Sequence, residues 1–168
     1  MAVKIDKNLA VGERVLVLGL GNILLKDEGV GVHVIRNLQE LALPENVEVI
    51  DGGTAGLDML LSEEGSYKLI VIDATKAGGK PGTIYKAKVN SGDIDKLLQV
   101  FEREQDLKVS SHQFGLIESL AAAQSYNSAP KEIVIIGVEP KEMDYGLELT
   151  EEVSRKSGEI IKVVLEEL

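Results

Sequence analysis

Short apolar runs, rich in β-branched residues, recur along this chain, and they constrain its fold more than any other feature. They are VLVLGL (Val15 to Leu20), VEVI (Val47 to Ile50), LIVI (Leu69 to Ile72) and IVIIGV (Ile133 to Val138). Continuous runs of this kind suit strands buried on both faces of a parallel sheet, and longer amphipathic stretches separate them, as βαβ units require. GTIYKAKV (Gly82 to Val89) differs, alternating Ile84, Lys86 and Lys88 with Tyr85, Ala87 and Val89. One wet face and a short loop from the preceding strand predict an antiparallel edge strand. Helices follow from spacing: Ile94, Leu97, Leu98 and Phe101 form one stripe. Leu149, Val153, Ile160, Ile161, Val164, Leu165 and Leu168 form a longer one, with Thr150 as its N-cap. The expected fold is an α/β, single-domain, three-layer αβα sandwich over residues 1–168. Its mostly parallel twisted sheet has about five strands, one of them an antiparallel edge strand.

Composition then removes whole classes of chemistry. The chain contains no cysteine, which excludes disulfides, iron–sulfur clusters, thiolate zinc sites and cysteine nucleophiles. With only two histidines, His33 and His112, a three-histidine zinc site is impossible and a metal site must be rich in carboxylates. The formal net charge of -10, with no cluster of lysines and arginines, argues against nucleic acid. The first residues, MAVKIDKNLAVGER, lack an apolar signal core, and no apolar run reaches the roughly 20 residues of a membrane span. A soluble, cytoplasmic protein is expected.

In an open α/β sheet, ligands bind outside the carboxyl ends of the strands. Three strand ends deliver acids there: Asp27 or Glu28 after the first, Asp51 after the second and Asp73 closing the third. His112, in SSHQ just before an amphipathic segment, is expected at a helix N-terminus, where the dipole favours the neutral, metal-binding imidazole. His33 shares its helix face with Arg36, Asn37 and Glu40 and is expected in solvent. Two carboxylates and one imidazole make a plausible site for Zn²⁺ or Ni²⁺ with open positions. Gly52, Gly53 and Gly56 surround Thr54 in a loop that invites close approach of a foreign backbone, as a peptide groove does. No H-E-x-x-H, G-x-S-x-G or Walker A sequence is present. A dinucleotide loop is half present in Gly19-Leu20-Gly21, but Leu24 stands where its third glycine belongs. Residues alone therefore leave a metal-dependent hydrolase and a nucleotide- or flavin-binding domain both open.

Five ordered blocks resemble one family. VLVLGLGNILLKDEGVGV (Val15 to Val32), VEVIDGGTAGLDML (Val47 to Leu60), LIVIDA (Leu69 to Ala74), SSHQFGLIESL (Ser110 to Leu120) and IIGVEPKEMDYGLELTEEV (Ile135 to Val153) are similar to the hydrogenase maturation endopeptidases. The resemblance implies removal of the C-terminal tail of a nickel–iron hydrogenase large-subunit precursor. It places metal ligands on Glu28, Asp73 and His112 and an acid needed for activity on Asp51. The metal implied is nickel carried by the substrate, with other divalent ions such as zinc able to substitute, so that metal loading gates cleavage. Family members often have Asp-Asp where this chain has Asp27-Glu28. The implied partners are the precursor and a nickel-insertion accessory protein. A non-catalytic chaperone that binds nickel or the precursor is the other reading consistent with the resemblance.

Overall fold

The structure is a computed structural model that describes residues 13–54, 60, 67–96, 111–125 and 129–168, the side chains of 111–114 excepted. Strands β1 (Arg14–Leu20), β2 (Val47–Gly53), β3 (Tyr67–Ala74), β4 (Ile84–Asn90) and β5 (Glu132–Val138) form one sheet in the order β2-β1-β3-β5-β4. All neighbours are parallel except β4, which runs antiparallel to β5 at the edge. Helix α1 (Val30–Gln39) links β1 to β2 after a 3-10 turn at Lys26–Gly29. Helix α2 (Ser111–Ser125) precedes β5, and α3 (Glu151–Ser154) and α4 (Ser157–Leu165) close the chain.

Strand alternation explains the layers. Val15, Val17, Ile70, Ile72, Val134 and Ile136 face one side, where they pack with Val34, Ile35 and Leu38 of α1 and Ile160 and Val164 of α4. Leu16, Leu18, Leu69, Val71 and Ile133 face the other, with Leu60, Ile94 and Leu116 and Leu120 of α2. Removing each such large side chain from water stabilises the fold by about 1.5–3 kcal/mol. Because β1, β3 and β5 are covered on both faces, their sequences carry no polar alternation, whereas β4 keeps Lys86 and Lys88 exposed. Among the described residues no helix is long and apolar enough to cross a membrane.

Four local expectations need correction or restriction. The antiparallel strand pairs with β5 rather than with β3, which precedes it in sequence, because β5 needs cover on both edges. The C-terminal stripe is two helices, broken at Arg155–Lys156 where Lys156 N–H turns back to the Val153 carbonyl at 2.9 Å. Thr150 occupies the N-cap position, yet its side chain makes no cap hydrogen bond. Of the stripe beginning at Ile94, residues Leu97, Leu98 and Phe101 lie outside the described residues.

The chain end is tied to the sheet by Glu167. Its carboxylate, only 5% exposed, accepts from Lys86 Nζ at 2.8 Å and Lys88 Nζ at 2.6 Å, with Lys68 Nζ at 3.4 Å. Burial alone would raise its pKa, but the hydrogen bonds and charges of Lys86 and Lys88 outweigh that and pull it down to about 2. A depressed carboxyl adds stability that is present above its unfolded pKa and is lost as pH falls toward the folded value. Glu167→Gln is therefore expected to destabilise the protein by about 2 kcal/mol at neutral pH. Urea titrations repeated down the pH scale should show the gap between variant and parent shrinking below the ordinary glutamate range and closing near pH 2.

Candidate active site

Strand order places the topological switch between β1 and β3, since the chain leaves β1 toward β2 and returns on the opposite side to β3. The connection after β1 folds tightly over this point. Gly21 has φ +126°, and a Cβ there would lie 1.8 Å from the Glu28 carbonyl oxygen, so only glycine lets the 3-10 turn close down on the strand end. Gly31 is equally close to β3, its hypothetical Cβ 2.2 Å from the Ile72 carbonyl oxygen. The space that a pyrophosphate would take above a dinucleotide-type loop is filled here by the chain's own backbone. Glu28 is thereby fixed over the end of β1, one strand away from Asp73. It is partly exposed; its backbone N–H donates to Leu25 O at 3.1 Å, while its carboxylate makes no hydrogen bond or ion pair among the described residues.

Asp27, its neighbour, has a different fate. Its fully buried carboxylate accepts from the backbone N–H groups of Lys141 (2.9 Å), Glu142 (3.1 Å) and Thr150 (2.8 Å) and from the Thr150 hydroxyl (2.8 Å). Those bonds explain the missing helix cap, because Thr150 spends its hydroxyl on Asp27. The turn is further held by Lys26, whose φ of +43° is unusual for a side chain of that size; its N–H donates to Gly146 O at 2.8 Å and its ammonium pairs with Glu142. Of the two acids, then, Asp27 belongs to the scaffold and Glu28 is free to act.

Asp73 ends β3 with 1% exposure, and one of its carboxylate oxygens accepts from Ala74 N–H at 2.9 Å. It shares the strand face of Leu69 and Val71, the side that α2 covers. Helix α2 begins at Ser111, so the backbone of His112 is in its first turn, and the imidazole itself lies outside the described residues. No group of three His, Asp or Glu side chains that could hold a metal ion is found among the described residues. Glu28 and Asp73 provide two oxygen donors at adjoining strand ends.

Asp51 is at the same edge but on the opposite face. It follows Val47 and Val49 in the alternation of β2, both packed on the α1 side, and Arg36 Nη2 of α1 stands 3.7 Å from its carboxylate. A bulge explains how the strand end is shaped: Gly19 pairs with Asp51 and Leu20 with Gly53, leaving Gly52 over. Gly53, at φ +50°, donates its N–H to Asp51 at 3.1 Å. Together Gly21, Asn22, Leu24, Arg36, Asp51 and Thr54 enclose much of a cleft of about 340 Å³ that Gly53 also lines. Gly52 packs against β1, where a Cβ would come 2.7 Å from Leu18 Cδ1, and Gly56 lies outside the described residues.

His33 departs from the expectation of a solvated histidine. It is half-buried, and its Nε2 is buried without a hydrogen-bond partner among the described residues. Two further residues escaped the pattern reading. By spacing Arg36 lies on a polar helix face, which becomes a cleft wall only with β2 beside it. Glu139, 6% exposed, accepts from Ala77 N–H (2.8 Å), Gly78 N–H (3.2 Å) and Tyr85 Oη (2.8 Å) and so secures the loop that follows Asp73. Burial works to raise its pKa, but the Tyr85 hydroxyl and the loop N–H groups prevail and hold it below the usual glutamate value. A single acid after a strand gives no sequence signal for such a role.

Comparison with known proteins gives a consistent result. The hydrogenase maturation protease family profile (HycI) matches residues 32–167. The hydrogenase expression/formation protein HupD of Rhodobacter capsulatus is 40% identical over 136 residues, covering 80% of this chain and 61% of that protein. The Escherichia coli hydrogenase 2 maturation protease is 36% identical over 139 residues, 82% of this chain and 79% of that one. Among solved structures, the hydrogenase maturating endopeptidase HybD from E. coli superposes with a TM-score of 0.75 at 33% identity, over 90% of this chain and 89% of that chain.

The role assigned to Asp27 has a direct check. Asp27→Ala leaves four donors of the 141–150 loop without their acceptor, and a loss of about 2–4 kcal/mol in chemical denaturation is expected. A change below about 0.5 kcal/mol would contradict that role.

Proposed function

The chain belongs to the hydrogenase maturation protease family, and from that premise we propose that it is an endopeptidase. Its substrate is the large-subunit precursor of a nickel–iron hydrogenase, from which it removes the C-terminal tail after nickel has been inserted. The observation that supports this reading best is the Glu28 carboxylate, without a partner among the described residues and held over the end of β1 beside Asp73 at the end of β3, with the Asp51 cleft opening from the same corner.

Nickel enters as part of the substrate. Glu28, Asp73 and His112 form a donor set with too few ligands to hold an ion tightly alone but suited to completing the coordination of one already bound by the precursor. Zinc, with similar ligand preferences, is expected to substitute in binding. An ion so placed would supply a Lewis acid for the scissile carbonyl or for an attacking water. Water then adds to the carbonyl carbon, the C–N bond breaks, and the released amine takes the proton. Asp51 lines the cleft that receives the tail and acts as base or as the group that orients the water. Arg36 Nη2 stands 3.7 Å from its carboxylate and walls the same cleft. A nickel-insertion accessory protein supplies the loaded precursor in this scheme.

The deciding measurement is mass spectrometry of the precursor after incubation with this protein, with and without nickel. Shortening only of the nickel-loaded precursor is expected, and equal cleavage of both forms would remove the gating. Asp73→Asn and His112→Ala are expected to lower the cleavage rate by about 100-fold or more with the circular dichroism spectrum unchanged. Precursor that stays bound and uncut after nickel loading would favour a chaperone instead.

A further inference from the structure

An apolar patch outside the cleft has no explanation in the fold. Tyr145 is 80% exposed and Leu147 is 59% exposed, and they flank Gly146. Gly146 is bridged to the β1–α1 corner, its N–H donating to Leu24 O at 2.9 Å and its carbonyl accepting from Lys26 N–H at 2.8 Å. Leu24, itself 43% exposed, lines the cleft. Three exposed apolar side chains thus stand on two adjoining segments, and the patch is continuous with the cleft wall. The segment carrying Tyr145 and Leu147 is not a loose loop: Asp27 fastens it on both sides, at Lys141, Glu142 and Thr150. Isolated surface apolar residues are ordinary, but a clustered group on a fixed loop points to a partner.

Charge identifies what kind of partner. Lys26 is paired with Glu142, and Lys141 with Glu152 at 2.7 Å. Asp144 and Glu148, which bracket Tyr145-Gly146-Leu147, are exposed and form no salt bridge among the described residues, although the charge of Asp144 reaches Lys26. The patch is therefore apolar with a border on which exposed Glu148 and Asp144, the latter only partly offset by Lys26, carry negative charge, on a chain whose net charge is -10.

We infer that Leu24, Tyr145 and Leu147, bordered by Asp144 and Glu148, dock a basic, apolar segment on the folded body of the precursor while the tail lies in the adjoining cleft. This rests on the proposed function and deepens it, assigning recognition of the precursor to a surface distinct from the cutting residues. Attraction between opposite charges speeds encounter, and the aromatic anchor slows release.

The experiment is a calorimetric titration of nickel-loaded precursor into the full chain, with cleavage followed in parallel. Tyr145→Ser/Leu147→Ser is expected to weaken binding at least about tenfold and to raise KM while leaving kcat nearly unchanged. Asp144→Lys/Glu148→Lys is expected to weaken binding most at low salt and to flatten its salt dependence. Leu41→Ser removes an exposed apolar side chain elsewhere and is expected to leave binding unchanged. Unchanged affinity in the patch variants, equal loss in Leu41→Ser, absence of binding by the parent, or a patch variant that alters only self-association in sedimentation would each overturn the docking surface. Weakened binding with no cleavage by any form would uphold docking and refute the peptidase reading; intact cleavage with unaltered affinity would do the reverse.

Discussion

The buried carboxylate of Asp27 joins parts of the chain more than a hundred residues apart. Taking a charge out of water is costly, and an acid in this position is tolerable only because three backbone N–H groups and a hydroxyl surround it. What those bonds secure is the relation between the 3-10 turn after β1 and the loop after β5. Glu28, the next residue, inherits its position from that anchor, and so does the loop that presents Tyr145 and Leu147. Thr150 starts the C-terminal helices from the same point. The turn that carries Glu28, the loop that carries Tyr145 and Leu147 and the entry to α3 therefore share one anchor.

Glycine contact makes the corner compact. With the Glu28 carbonyl over Gly21 and the Ile72 carbonyl over Gly31, the β1–α1 connection lies directly on the ends of β1 and β3. The strand-end acids consequently divide between two faces. Asp73 is on the side of α2, whose first turn contains His112, while Asp51 is on the side of α1 beside Arg36. Glu28, in the connection between them, belongs to neither face. The proposed roles, directed at the metal for Glu28 and Asp73 and at the tail for Asp51, accord with that division.

Much of this was legible from the residues. The apolar runs marked β1, β3 and β5, because strands buried on both faces cannot carry polar alternation, and Lys86 and Lys88 marked β4 as an edge; β2 is also a strand, but as the opposite edge it is only partly buried and exposes Glu48, unlike the doubly covered strand its run suggested. Gly19-Leu20-Gly21 reads in the sequence as half of a dinucleotide loop, and the folded-back turn that makes Gly21 necessary shows only in the structure. Other features left no local mark. Asp27 and Glu28 are adjacent acids that spacing does not tell apart, and the arrival of the 141–150 loop is what buries the one and leaves the other partly exposed. Thr150 reads as a helix cap by spacing, but a distant carboxylate competes for its hydroxyl more effectively than the helix does. His33 reads as solvated by helical phase, yet packing leaves its Nε2 buried.

Sequence by itself determined the strand set, the stripe of α1 and the edge to which Glu28, Asp51 and Asp73 are delivered, because periodicity and strand ends are local properties of the chain. Tertiary structure decided which acid is buried and bonded, which face each strand-end acid occupies, that Arg36 walls a cleft, and that Tyr145 and Leu147 stand beside Leu24. Each of those depends on a contact between segments distant in sequence, and hydrogen-bond competition and burial are settled only when such segments meet.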